Sequence, residues 1–108
     1  MRTVTKDWLE NGEDHAFYTI GTEEERANYY PAIIGIARDN THVVYSFERL
    51  VECFMKVNNW DWDTAEEWVI YDVERAIPYY GVHAPVILMN KFIHKDNKYY
   101  EPIKVVDK

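Results

Sequence analysis

Residues 32–54 read AIIGIARDNTHVVYSFERLVECF, and this stretch decides the fold. Ala32–Ala37 is short, apolar and rich in Ile, the pattern of a buried strand. Asp39-Asn40-Thr41 supplies turn chemistry and His42–Ser46 returns as the partner strand, so 32–46 reads as a β-hairpin. Ser46 then stands where a helix N-cap belongs. Phe47, Leu50, Val51 and Phe54 follow at helical spacing, with Glu48, Arg49, Glu52 and Lys56 elsewhere on the wheel. This helix is expected to end near Asn58-Asn59.

Upstream of the hairpin, His15–Ile20 reads as a short strand. Thr22 and Glu25 have the capping-box spacing, which predicts a short helix to about Tyr29, stopped by Pro31. Downstream, Asp63 and Glu66 repeat that spacing. An apolar stripe of Ala65, Trp68, Val69, Val73, Ala76 and Ile77 predicts a second helix ended by Pro78, with Gly81 allowing a turn. Pro85–Met89 reads as a buried strand beside the hairpin. Lys95–Lys98 reads as a turn between two weaker strands, and Pro102 makes the last of them an edge strand. The expected fold is α+β, a small antiparallel or mixed sheet with a two-helix hairpin packed on one face. A chain of 108 residues supports one core, so 1–108 is read as a single domain.

Charge narrows the function classes. The formal net charge is −7, which argues against direct nucleic-acid binding and against attachment to an anionic membrane surface. Residues 59–80 alone hold six acids and one base, whereas 81–108 hold three acids and five lysines. No apolar run reaches membrane-spanning length, and the first ten residues, MRTVTKDWLE, have no apolar targeting core. The lone Cys53 excludes an internal disulfide and a multi-cysteine zinc site, and suits a reducing cytoplasm.

Catalytic constellations are sparse. Ser46 is the sole serine and is explained as a cap. Glycines 12, 21, 35 and 81 are isolated, so no loop cradles a phosphate. Cys53 reads as a small packed thiol. His15, His42, His83 and His94 show no short metal spacing; a zinc site would have to gather them with Cys53 through the fold or across a dimer. Asp61, Asp63 and Glu66 offer oxygen ligands for a divalent cation, the basis of an alternative reading as a metal-dependent, nuclease-like enzyme. The helical pair over 47–77 has the outline of a helix-turn-helix, but Glu66, Glu67 and Glu74 stand against a single Arg75 where a recognition helix needs bases.

The reversed sign points to a partner-binding surface instead. Residues four apart on a helix are separated by about 6 Å along its axis. Phosphates along one DNA strand recur every ~3.4 Å of axis rise. Asp63, Glu67 and Glu74, joined by Asp61 and Glu66, thus present a row of negative charge that a basic groove would accept, with Trp60 and Trp62 as flanking interface anchors.

The stretches NYYPAIIGIARDN (28–40), VVYSFERLVEC (43–53), DTAEEWVIYDVERAIPYYG (63–81) and APVILM (84–89) together resemble a family of small proteins of phages and prophages of Gram-positive bacteria. The resemblance covers 28–89 and carries no catalytic motif; 1–27 and 90–108 lie outside it as accessory segments. One departure adds acid: Asp72-Val73-Glu74-Arg75 stands where the family has Asn-Thr before Ile-Arg. The resemblance implies a phage accessory protein acting in the cytoplasm of an infected bacterium. Together with the acidic row, it leads to the expectation of a non-enzymatic anti-CRISPR protein, monomeric or dimeric, without cofactor or metal. Its partner would be a Cas9-type defence effector whose nucleic-acid loading it blocks. The remaining alternative is a phage interaction module that contacts another phage protein or a second copy of itself, for which Tyr79-Tyr80 and Tyr99-Tyr100 are available.

Overall fold

The computed structural model describes residues 2–12, 18–38, 40–89 and 100–107. The chain runs through β1 (Arg2–Thr5), α1 (Lys6–Asn11), a 3-10 helix (Arg26–Ala32), β2 (Ile33–Ala37), β3 (Val43–Ser46) and α2 (Phe47–Asn58). It continues through α3 (Trp62–Trp68), a π-helical turn (Val69–Glu74), a second 3-10 helix (Ile77–Tyr80), β4 (Val86–Leu88) and β5 (Tyr100–Val106). The strands form one mixed sheet in the order β1-β5-β2-β3-β4. Its centre is antiparallel, β5 to β2 to β3, and each outer strand joins in parallel. The fold is α+β.

The hairpin and α2 form as their residues dictate. Ser46 is extended and its hydroxyl accepts from Arg49 N at 3.3 Å, capping α2. Asn59 closes α2 in the left-handed conformation at φ 56°, which an Asn tolerates. Leu50, Val51 and Phe54 are buried against Ile33, Ile36, Val43 and Tyr45 of the sheet, and Phe54 stacks on Tyr29 with ring centres 4.5 Å apart. The opposite sheet face carries a smaller cluster of Ile34, Val44 and Tyr100, with Leu88 packed against it. Residues from both ends of the chain join this architecture: β1 pairs with β5, and Val4, Leu9, Ile20 and Ile103 belong to the main core.

Several local expectations change. The expected strand 15–20 falls partly outside the described residues, and Tyr18–Ile20 is irregular. Pro31 does not stop the preceding helix but lies inside the 3-10 helix, whose φ near −60° matches the fixed proline φ. The cap of α3 is Asp61, not Asp63: its carboxylate accepts from Thr64 N at 2.8 Å. The helix thus begins two residues earlier than expected, and Ala65 and Val69 of the expected apolar stripe are buried. Pro78 opens the second 3-10 helix rather than ending α3, at a position where its missing N–H is not needed. β4 is a half-exposed edge strand, not the buried strand expected over 85–89.

The largest correction concerns Pro102. It lies in β5, which is central, between β1 and β2. Residues 100–102 pair with β2, and from Ile103 onward β5 pairs with β1. Pro102 thus occupies the last rung of one ladder, opposite Gly35. A Cβ on Gly35 would collide with the Tyr100 ring and stand 2.8 Å from Glu101 O, so glycine is what lets the two strands meet. The expected turn at 95–98 lies outside the described residues.

Tyr45 is fully buried, and its hydroxyl accepts from the buried Ile20 N at 2.9 Å. Tyr45→Phe orphans that N–H and is expected to cost about 1–3 kcal/mol in chemical denaturation. Burial pushes the Tyr29, Tyr45 and Tyr100 hydroxyls above their ordinary value, and burial plus the hydrogen bond to Glu10 does the same to Tyr30. The unfolded chain therefore gives up tyrosine protons first, and stability falls as pH rises past the ordinary value of 10.0. Urea midpoints measured from pH 8 to 11 should decline along this upper range, and a flat profile would contradict it.

Candidate functional site

Segment 60–75 is built by the turn out of α2. Trp60 N donates to Met55 O at 3.1 Å, completing the α2 terminus, and Asp61 then starts α3. Backbone and side-chain hydrogen bonds from Thr64 hold the Asp61 carboxyl below its ordinary value of 3.8. Asp63, Glu67, Asp72 and Glu74 are exposed along with Asp61. Glu66 is only half-exposed, and its carboxylate accepts from Trp62 Nε1 at 3.1 Å, one helical turn back.

The structure keeps Asp63 and Glu67 on one helix face but breaks the row before Glu74. In a regular α-helix, residues seven apart nearly align, drifting by only ~20°. The π-helical turn over Val69–Glu74 fits an extra residue into a turn, so Glu74 lags by about one residue's rotation, ~100°, relative to Glu67. The acids form a broad face rather than a line. Arg75 is the segment's sole base, and its guanidinium lies 4.9 Å from the Tyr71 ring centre, stacked on the side chain next to it.

The aromatic anchors also differ from expectation. Trp60 and Trp62 are partly buried and pack on the main core. The exposed aromatics are Trp68, 44% exposed, and Tyr71, 54% exposed, with Ile70 beside them. Trp68 had the spacing of the inward stripe, but with Ala65 and Val69 inward it is left at the border, 5.5 Å from the Trp60 ring. Segment 60–75 therefore exposes both acids and aromatics to solvent. Of the tyrosine pairs, Tyr79 is 91% exposed, Tyr100 is buried, and Tyr99 lies outside the described residues.

His42 and His83 come together with ring centres 6.4 Å apart, His42 Nδ1 lying 2.8 Å from Ala84 O. His15 and His94 lie outside the described residues. Cys53 is buried in α2; burial first, and then the Glu52 charge, push its thiol up, away from the thiolate a nucleophile needs. Among the described residues, no three His, Cys, Asp or Glu side chains are grouped to hold a metal ion, the trio Asp61, Asp63 and Glu66 included. Nor does any helix among them have the length and apolarity to cross a membrane.

Comparison with protein-family models, with curated proteins and with solved structures gives no match.

Asp61→Ala should lower the thermal midpoint at pH 7 by removing the α3 cap. Since the folded carboxyl titrates below the unfolded one, its stabilising contribution is complete above 3.8 and is lost as pH falls through the lower folded value. The gap between wild type and Asp61→Ala in melting curves should close over that acid range; a gap constant down to pH 2 would refute the cap.

Proposed function

We propose that this chain is a non-enzymatic phage protein that binds a basic, nucleic-acid-binding surface of a Cas9-type effector and blocks guide or target loading in an infected bacterium. The supporting observation is that segment 60–75 exposes five acids, Asp61, Asp63, Glu67, Asp72 and Glu74, together with Trp68 and Tyr71. Interface hot spots favour Trp and Tyr, and the surrounding carboxylates supply the long-range attraction to a cationic channel. Such effectors hold their heteroduplex in a positively charged channel. Arg75 is the lone local base against six acids over 59–80, so little opposes that field. The resemblance of 28–89 to phage proteins supplies the cellular setting.

A second reading, an interaction module for another phage protein or a second copy, is favoured by a different surface. Tyr79 and Val82 are 91% and 82% exposed and precede the edge strand β4, after which Met89 is also exposed.

The test is guide-directed Cas9 DNA cleavage with the purified chain added before or after target. Inhibition is expected when the chain is added first. Asp63→Lys with Glu67→Lys should raise the half-inhibitory concentration at least ~10-fold, the weight of one strong charged contact. No inhibition across several Cas9 orthologues would discard the effector, and inhibition unchanged in the double variant would discard the acidic face.

A further inference from the structure

A different part of the molecule carries charge of the opposite sign. The β2–β5 ladder stops at the Gly35–Pro102 rung, and β5 continues from Ile103 with β1 as its partner. On its other side, in the pairing with β3, β2 carries a bulge between Ile33 and Gly35 at the same level. The 3-10 helix Arg26–Ala32 and the first turn of α2 border the opening. Between them lies an open groove of about 1010 Å³, at the upper end of the roughly 300–1,000 Å³ typical of small-ligand sites.

The groove is floored by the core side chains Tyr30, Ile33, Ile34 and Ile103, which are buried, and its accessible apolar rim includes Pro31, exposed, and Pro102, half-buried. Four charged side chains also line it. Lys6 and Asp107 neutralise each other in an ion pair of 2.7 Å. Arg49 and Lys104 have no ion-pair partner among the described residues. Arg49 also lines an adjoining groove of about 540 Å³ that shares Ala27 and Pro31. A chain of net charge −7 thus places beside an apolar cleft two cations that form no ion pair among the described residues.

We propose that this groove binds a small amphipathic organic anion, a hydrocarbon chain ending in a carboxylate. The apolar rim takes the chain, excluding water from it. Arg49 presents a planar fork that matches a carboxylate with two parallel N–H donors, and Lys104 adds a point charge. The complementarity selects against neutral and cationic ligands of the same length, because neither satisfies the two cations.

Dodecanoate is the probe, titrated below its micellar range into the full chain and followed by calorimetry and by amide shifts in NMR. Saturable binding that moves the amides of Ile34, Arg49 and Ile103 is expected, with dodecylamine at least ~10-fold weaker. Arg49→Gln with Lys104→Gln should weaken dodecanoate ~10-fold or more, and Arg49→Lys less. Both residues are exposed, so circular dichroism should be unchanged in these variants. Ala27→Trp, on the exposed border of the groove, should block binding without touching either cation. Dodecylamine binding as tightly as dodecanoate, a double variant of unaltered affinity, or shifts confined to residues away from the groove would each overturn the proposal.

Discussion

The rest of the fold depends on the buried hydrogen bond from Ile20 N to the Tyr45 hydroxyl. Tyr45 lies in β3, opposite Ile33 of β2 on one side and Ile87 of β4 on the other. Its ring therefore crosses the core from the one strand that joins the hairpin to the edge. The hydroxyl reaches the irregular backbone before the 3-10 helix and satisfies a donor that the helices and strands leave over. The next residue, Ser46, caps α2. Sheet, helix and N-terminal connection thus meet within two consecutive residues.

That junction was legible because its causes are local. A turn between two apolar runs, a serine before a helical stripe and an asparagine after it each act over a few residues. Long-range pairing was not legible. β1 pairs with β5 from Arg2↔Ile103 to Thr5↔Val106, nearly the whole chain apart in sequence, and no periodicity in either segment announces the other. Pro102 misled for a related reason. The rule that proline marks an edge assumes one partner along a whole strand, whereas β5 changes partners beside the proline.

The candidate site divides along the same line. Exposure of the acids followed directly from their cost of burial, which left Asp61, Asp63, Glu67 and Glu74 outside. Which tryptophans were exposed did not follow, because that turns on helix phase. Starting α3 at Trp62 instead of Thr64, and inserting a π-helical turn after Trp68, changes which side chains face the core. Trp60 and Trp62 consequently pack on the core, while Trp68 and Tyr71 meet solvent. An acid's position tolerates such an error in phase, since any outward direction is solvated. A tryptophan's does not.

Surfaces of opposite sign within one chain invite self-association, yet the charge ledger is lopsided. Five exposed acids crowd 60–75, whereas the groove offers two cations that form no ion pair among the described residues and one already paired. A second copy brings its own −7 with its groove, so the long-range field repels it before those cations are reached. A contact of acidic face with groove would also be heterologous, leaving both end copies with an open site instead of closing a dimer. The acidic face is accordingly better matched to a foreign surface of higher positive charge. The groove's own short-range complementarity is left to a ligand small enough to carry a single negative charge.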